Sequence, residues 1–244
     1  MRYAIMADIH GNLEAFQAVL EDVEKNGGVD GMLCAGDLVG YGPDPDLCLE
    51  LARSRNFLAV AGNHDAAAVG KLDISDFNAE AADACRWTGR QLSQENRDYL
   101  SNLPSVLQVR DFTVVHGSPR QPFWEYLIAP VVAKENLKHF RTKYCVIGHS
   151  HIPLYFECVE GKGCSLKEFQ FEGILKMGDN RMIINPGGVG QPRDGDPRAG
   201  YLIFDDENST LRYYRVEYDI PATQQKMLTR GLSRYLAARL SYGL

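Results

Sequence analysis

Short apolar segments that end in polar, glycine-containing loops recur along this chain. The segments are Tyr3–Ala7, Met32–Ala35, Phe57–Ala61, Phe112–Val115 and Tyr144–Ile147. Each has the length of a buried strand, and apolar residues at helical spacing follow the first of them. Alternating strands and helices predict an α/β sheet, and such sheets gather their loops at the carboxyl ends of the strands. The five loops are therefore expected to converge on one place.

Those loops carry five of the six histidines of the chain, together with aspartates and an asparagine. Divalent first-row metals accept these oxygen and nitrogen ligands. Asp8 and His10 stand two apart, so in extended chain both side chains reach the same ion. Asp37 has two carboxylate oxygens and can bridge two cations. Seven candidate ligands are about right for two divalent ions, and they are Asp8, His10, Asp37, Asn63, His116, His149 and His151. Ligands of these types can bind Mn, Ni, Fe, Co or Zn.

His64, beside Asn63, is not needed to complete this ligand set. A histidine in that place is suited to protonate a leaving-group oxygen as a general acid. Asp65 can either orient His64 or cap the helix that follows, and the cap is the favoured interpretation.

The motifs Asp8-Ile9-His10, Gly36-Asp37, Gly62-Asn63-His64-Asp65, His116 and Gly148-His149-Ser150-His151, in this order, resemble the calcineurin-like metallophosphoesterase superfamily. The resemblance implies a four-layer α/β/β/α sandwich and a two-metal hydrolase. The predicted helical insertion at about 66–105 can either form a small cap that limits substrate size or serve as a structural insertion without substrate contact. The resemblance also implies that a metal-activated hydroxide attacks phosphorus while His64 protonates the leaving group. By analogy, one metal takes Asp8, His10, Asp37 and His151, and the other takes Asp37, Asn63, His116 and His149.

Departures from the superfamily pattern narrow the choice within it. Gly36-Asp37 runs into Gly40-Tyr41-Gly42, without the second Asp and the Arg of protein phosphatases and symmetrical diadenosine tetraphosphatases. The chain is therefore placed nearer the small bacterial and archaeal phosphodiesterases. Gly188 stands where their Asn-Pro-Gly-Ser motif has serine. A phosphodiesterase is the leading hypothesis; a phosphomonoesterase, a nucleotide pyrophosphohydrolase, a nuclease and a non-catalytic scaffold are the alternatives.

The composition limits the classes of binding partner and the cellular compartment that can be expected for this chain. A formal charge of −6 over 244 residues disfavours general nucleic-acid binding but allows a small phosphorylated substrate. The sequence has neither a signal peptide nor an apolar run of membrane-spanning length, so a cytoplasmic protein is expected. A single domain over 1–244 is expected, and the sequence does not indicate the oligomeric state. The six cysteines do not form a disulfide framework by spacing. Cys158 and Cys164 can approach one another across a Gly-Lys-Gly turn, and free, solvent-facing thiols are an equally favoured alternative.

Three residues are candidates for substrate binding: Arg120, Trp124 and Arg193. Trp124, with Tyr126, can form a wall for a nucleobase, although aromatic side chains more often serve packing. Arg193 can meet a phosphate, although ion pairs within its Gly- and Pro-containing turn are the favoured interpretation. A closing helix is expected to place Leu228, Leu232, Tyr235, Leu236 and Leu240 on one face.

Overall fold

The computed structural model describes residues 1–171 and 173–244, which contain twelve strands and eight α-helices. The strands are β1 (Arg2–Met6), β2 (Gly31–Cys34), β3 (Leu58–Ala59), β4 (Val106–Val109), β5 (Phe112–Val115), β6 (Tyr144–Val146), β7 (Leu154–Val159), β8 (Gly163–Lys167), β9 (Ile174–Lys176), β10 (Arg181–Asn185), β11 (Ala199–Asp205) and β12 (Thr210–Val216). The helices are α1 (Leu13–Lys25), α2 (Pro45–Ser54), α3 (Asn63–Ala68), α4 (Ala79–Gln91), α5 (Gln94–Asn102), α6 (Pro130–Asn136), α7 (Ile220–Thr229) and α8 (Arg234–Arg239).

The strands form two six-stranded sheets. One has the order β3-β2-β1-β11-β12-β9, and the other has the order β4-β5-β6-β10-β7-β8. Within the first sheet β1, β2 and β3 are parallel neighbours, and in the second β5 and β6 are parallel. Parallel neighbours end at the same edge of a sheet, so the loops after these five strands leave from shared edges.

Strand β1 shows how alternation assigns side chains to layers. Ala4 and Met6 pack against the outer helices α1 and α2, whereas Tyr3 and Ile5 pack into the space between the sheets. On the far side of the second sheet a third apolar cluster includes Ala133 of α6. Buried alternate positions on both faces are what a sheet covered on both sides requires. The order helix, sheet, sheet, helix confirms the predicted α/β/β/α sandwich.

The inserted segment after α3 is helical, as predicted, and consists of α4 and α5. Asn78 and Ser93 cap these two helices by accepting hydrogen bonds from Ala81 N and Asn96 N. The segment packs against the end of the chain, where α4 shares an apolar cluster with α7 and α8. The inserted helices are thereby held beside the carboxyl ends of the strands.

The closing helix was predicted as one element, and this is wrong. Residues after β12 form two helices, α7 and α8, separated at Gly231, whose φ of +76° lies in the left-handed region. The break rotates the apolar positions, so Leu232, Leu236 and Leu240 are buried while Leu228 and Tyr235 are exposed.

Cys158 and Cys164 form a disulfide bond that links β7 to β8 across their turn. The sequence left this pairing open because spacing alone does not set the register of a hairpin. Cys34, Cys48, Cys85 and Cys145 are free and buried, in keeping with their apolar surroundings. No helix among the described residues combines the length and the apolar character that crossing a membrane requires.

Candidate active site

The loops after β1, β2, β3, β5 and β6 meet at one end of the sandwich. Backbone hydrogen bonds tie them together: Asp8 N donates to Gly36 O at 3.0 Å, and Gly148 N donates to His116 O at 2.8 Å. The first bond joins two loops of one sheet, and the second joins two loops of the other. All eight predicted metal-binding and catalytic side chains are buried at this junction: Asp8, His10, Asp37, Asn63, His64, His116, His149 and His151.

One group of donor atoms surrounds His10. Its Nε2 lies 3.2 Å from His151 Nε2 and 3.5 Å from Asp37 Oδ2. His151 Nε2 in turn lies 3.5 Å from Asp8 Oδ1. Four oxygen and nitrogen atoms, from two loops of the first sheet and one loop of the second, therefore face a common point.

A second group surrounds His116. Its Nε2 lies 2.9 Å from Asn63 Oδ1, 3.2 Å from His149 Nδ1 and 3.3 Å from Asp37 Oδ2. Asp37 Oδ2 is thus close to both groups. A carboxylate oxygen of Asp8 also lies within 4.8 Å of donor atoms of Asp37 and His116, so two carboxylates stand between the groups. The arrangement can hold two cations with a shared aspartate.

The outward nitrogens of three imidazoles face backbone carbonyls. His10 Nδ1 lies 3.1 Å from Val39 O, His116 Nδ1 lies 2.8 Å from Ala35 O, and His151 Nδ1 lies 2.5 Å from Gln191 O. A carbonyl only accepts, so each Nδ1 donates, and each ring in its neutral form presents its Nε2 lone pair inward. Three inward Nε2 atoms beside carboxylates, with buried Asp8 Oδ2 lacking a hydrogen-bond partner, fit a cation site.

The pKa values of the buried groups also indicate that the carboxylates of this centre favour a nearby positive charge. Burial alone would lower the pKa of His116, but the Asp37 carboxylate outweighs burial and raises this pKa to about 9. Burial opposes ionisation of Asp37, yet His116 and His64 hold its pKa well below the usual value. Burial lowers the pKa of His10 and of His151 well below the ordinary value, so both rings keep their lone pairs.

The backbone at five of the seven predicted ligands is strained. Asp8, His10, Asp37, His149 and His151 have φ between 52° and 66°, in the left-handed region that non-glycine residues rarely occupy. Each such residue costs about 1–3 kcal/mol and persists where its surroundings enforce it, which happens mostly at functional sites.

Gly36 shows why glycine accompanies these ligands. Its φ is +86°, and an ideal Cβ there would lie 2.7 Å from Gly62 N and 3.0 Å from His116 Nδ1. Any larger residue would push the β2 and β3 loops apart. At Gly188, where a serine was expected, a Cβ would lie 3.0 Å from Gln191 O and 3.2 Å from His151 Nδ1, so glycine lets that loop approach His151.

His64 lies at the start of α3, beside the donor groups. Its backbone N donates to Asp37 Oδ1 at 2.9 Å, so the carboxylate that faces both groups also holds the first turn of this helix. Asp65 accepts from Gly62 N at 2.9 Å and from Val39 N at 3.0 Å, which favours the capping interpretation. His64 Nδ1 instead lies 3.2 Å from Cys85 Sγ, a neighbour that the sequence did not indicate.

A cavity of about 190 Å³ opens over the centre. Trp124 and Arg193, two of the three substrate candidates, line it together with the aromatic residues Tyr41, Phe77 and Tyr126. Among the described residues of the turn, only Asp196 and Arg198 form an ion pair with each other, as the favoured interpretation has it, whereas Asp194 pairs with Arg215 of β12. Arg193 itself donates to Gln191 Oε1 at 2.8 Å and faces the cavity.

Arg120 lies apart from the described residues that line the cavity. Its guanidinium pairs with Glu125 and Glu135, and its backbone N donates to Asn136 Oδ1 at 2.9 Å. These contacts brace the loop that follows His116. Tyr41 and Phe77, by contrast, line the cavity without having been predicted, since neither belongs to a ligand motif. Their proximity to the centre arises only from how the β2 loop and the inserted segment pack.

Comparison with known proteins places the chain in a family. The calcineurin-like phosphoesterase superfamily domain matches residues 1–209. A crystal structure of a metallophosphoesterase from Sphaerobacter thermophilus is 43% identical, with a TM-score of 0.90 over 100% of this chain and 99% of that chain. The protein MJ0912 of Methanocaldococcus jannaschii is 39% identical over 98% of this chain and 97% of its own length. PH1004 of Pyrococcus horikoshii shares the fold, with 20% identity and a TM-score of 0.81 over 100% of this chain and 98% of that chain.

Sequence and fold thus agree with the expectation drawn from the motifs, including the kinship with small bacterial and archaeal proteins. The chain belongs to the calcineurin-like phosphoesterase superfamily and is a metal-dependent phosphoester hydrolase.

Proposed function

We propose that the protein is a phosphodiesterase that uses two divalent metal ions. The observation that carries the proposal is the position of Asp37 Oδ2, 3.5 Å from His10 Nε2 and 3.3 Å from His116 Nε2. A carboxylate oxygen shared by two groups of inward-facing donors suits a pair of cations better than one. We propose that the first ion takes Asp8, His10, Asp37 and His151, and the second takes Asp37, Asn63, His116 and His149.

Mn, Ni, Fe, Co and Zn all accept this donor set, and availability decides among them. Bound there, the ions would supply an activated water nucleophile and neutralise charge on the phosphoryl group. We propose that the residues lining the cavity hold the phosphate against the metal centre. Arg193 is the one arginine or lysine among the described residues that line the cavity, and we propose that it binds a non-bridging phosphate oxygen.

We propose that His64 is the general acid. Its ring borders the cavity and is held at the start of α3, while Nδ1 is occupied by Cys85. Nε2 is then the nitrogen left to meet a substrate. In the proposed step the Nε2 proton passes to the leaving oxygen as the P–O bond breaks, so the departing alcohol leaves uncharged.

The cavity wall favours a diester over a monoester. Apart from the proposed metal ligands and His64, it carries one positive side chain, Arg193, and one negative side chain, Asp76. A phosphomonoester dianion gains little from such a balanced wall, whereas a diester is a monoanion. Phe77, Trp124 and Tyr126 add an aromatic face on which the second ester group can pack.

The test compares substrates and variants after metal loading. We expect a higher kcat/KM for bis(p-nitrophenyl) phosphate than for p-nitrophenyl phosphate, by about tenfold or more. On an alkyl phosphodiester, whose leaving oxygen needs a proton, His64→Ala should lower kcat by about 10²–10⁴-fold. His139→Ala, an exposed histidine away from the centre, is the matched control and should retain wild-type rates.

The other reactions on this chemistry are distinguished by the same assay. Preference for the monoester, for a dinucleoside polyphosphate or for single-stranded oligonucleotides would identify a phosphomonoesterase, a nucleotide pyrophosphohydrolase or a nuclease respectively. An enzyme inert on every ester with each of the five metals would contradict the proposal.

A further inference from the structure

A thiol from the inserted helices lies within contact distance of His64 Nδ1. Cys85 lies on α4, is 2% exposed, and places its Sγ 3.2 Å from His64 Nδ1. Burial raises the pKa of Cys85 well above its ordinary value, and the nearby Asp37 and Asp65 carboxylates add to the shift. The sulfur is therefore a neutral thiol at physiological pH.

The ring of His64 has little room to turn away from this contact. Tyr41 and Phe77 pack on it, with ring centroids 4.3 Å and 5.1 Å from the imidazole. Gly40 lies so close that an ideal Cβ there would stand 2.9 Å from His64 Cγ. Asp65, the adjacent carboxylate in the chain, is committed to the amides of Gly62 and Val39. Cys85 is therefore the group that meets Nδ1.

We propose that Cys85 is a positioning residue for His64, holding the hydrogen on Nδ1 so that Nε2 exchanges its proton with the leaving oxygen. The inference rests on the proposed function. Nδ1–H donates to Sγ throughout the step, so the proton available for transfer is the one on Nε2. The Nε2 proton goes to the departing alcohol, and the neutral ring that remains keeps its hydrogen on the Cys85 side.

A thiol suits this place because of what surrounds it. Sulfur accepts a hydrogen bond weakly and stays neutral, whereas a carboxylate would add negative charge beside Asp37. Through this contact the inserted segment would affect the reaction, because Cys85 of α4 is the hydrogen-bond partner of His64. The inserted helices thereby contribute to acid geometry as well as to the cavity wall.

The experiment compares Cys85→Ala and Cys85→Ser in the metal-loaded enzyme. Alanine removes the acceptor, so we expect kcat on an alkyl phosphodiester to fall about tenfold with KM unchanged. Serine supplies a hydroxyl acceptor and should restore most of kcat. Cys48→Ala is the matched control, since Cys48 is equally buried on a helix but packs in the apolar cluster of α1 and α2; it should leave kcat unchanged.

Two further measurements separate positioning from general structural support. In a His64→Ala background, Cys85→Ala should cause no additional loss of kcat, because a residue that acts through His64 has nothing left to position. In the zinc-loaded protein, ¹⁵N spectra of the His64 ring should show hydrogen on Nδ1 for the wild type and for Cys85→Ser, and a shift toward the Nε2–H form in Cys85→Ala.

An additive loss in the double variant, or unchanged ¹⁵N spectra in Cys85→Ala, would overturn the positioning role. Failure of the proposed function has a different signature. There His64→Ala would itself keep wild-type kcat, while the ¹⁵N spectra would still report whether Cys85 sets the tautomer.

Discussion

Replacing Asp37 by alanine should abolish both metal sites at once. Its Oδ2 lies 3.5 Å from His10 Nε2 and 3.3 Å from His116 Nε2, so it belongs to both donor groups. His151 and His149 serve as matched single-group positions, because the first faces only the His10 group and the second only the His116 group. The comparison is therefore between Asp37→Ala, His151→Gln and His149→Gln.

The size of the effect follows from mass action. With free metal at 100 times its Kd, each occupied site stabilises the folded state by about 2.7 kcal/mol, and two sites by about 5.4 kcal/mol. For a protein of this length, 1 kcal/mol moves Tm by roughly 2–4 °C. Metal should therefore raise the wild-type Tm by roughly 10–20 °C, each single-group variant by about half of that, and Asp37→Ala hardly at all.

Differential scanning fluorimetry with and without manganese, beside metal analysis of the dialysed protein, checks both predictions. Each variant is compared with its own metal-free form. This is necessary because favourable contacts of Asp37 with His116 and His64 hold its pKa low and are themselves lost on substitution. The expected stoichiometry is two ions in the wild type, one in each glutamine variant and none in Asp37→Ala. If Asp37→Ala kept one ion and half of the shift, the carboxylate would not be shared.

Three other substitutions test separate parts of the structure. Gly36→Ala should destabilise the protein by about 2 kcal/mol or more and weaken metal binding, because its Cβ would meet Gly62 N at a φ of +86°; urea unfolding measures this, and wild-type stability would refute it. Burial would raise the pKa of Glu125, but hydrogen bonds from Arg120, Ser118 and Asn136 hold it below its usual value, so this contribution is complete above the unfolded pKa and is lost as pH falls through the folded one. Glu125→Gln should therefore unfold more readily than wild type at pH 7, and the difference should shrink as the pH falls below the ordinary pKa value of 4.5; a difference independent of pH would contradict the assignment. Cys158→Ser should lower the free energy of unfolding by about 2 kcal/mol, since the bond closes a short loop of sequence separation 6, while kcat stays unchanged; a large loss of kcat would instead connect β7 and β8 to the centre.

The sequence predicted which side chains meet because the seven predicted ligands follow closely after five strands. Asp8 and His116 come directly after apolar runs, and the parallel pairing of β1 with β2 and of β5 with β6 brings such loops together. Periodicity and strand length are local properties, so they can be read without knowing the tertiary structure. The same holds for the capping role favoured for Asp65, which depends on residues three apart.

Contacts between distant segments could not be read in this way. Cys85 reaches His64 across 21 positions, and Arg120 meets Glu135 through the course of the loop before α6. Neither pair has a spacing that marks it, since the approach depends on how helices settle against loops. The break at Gly231 escaped for a related reason: apolar spacing continued through it while the backbone adopted a left-handed turn.

The two carboxylate oxygens of Asp37 have different partners, and this connects the candidate metal centre with the helix that carries His64. Oδ2 faces both donor groups, while Oδ1 accepts the backbone N–H of His64 at 2.9 Å. Any rotation of the carboxylate that follows loss of an ion therefore pulls on the first turn of α3 and on His64. If His64 is the proposed acid, depletion of metal should reduce proton donation together with nucleophile activation, and partly loaded enzyme should behave as a mixture of active and inactive molecules.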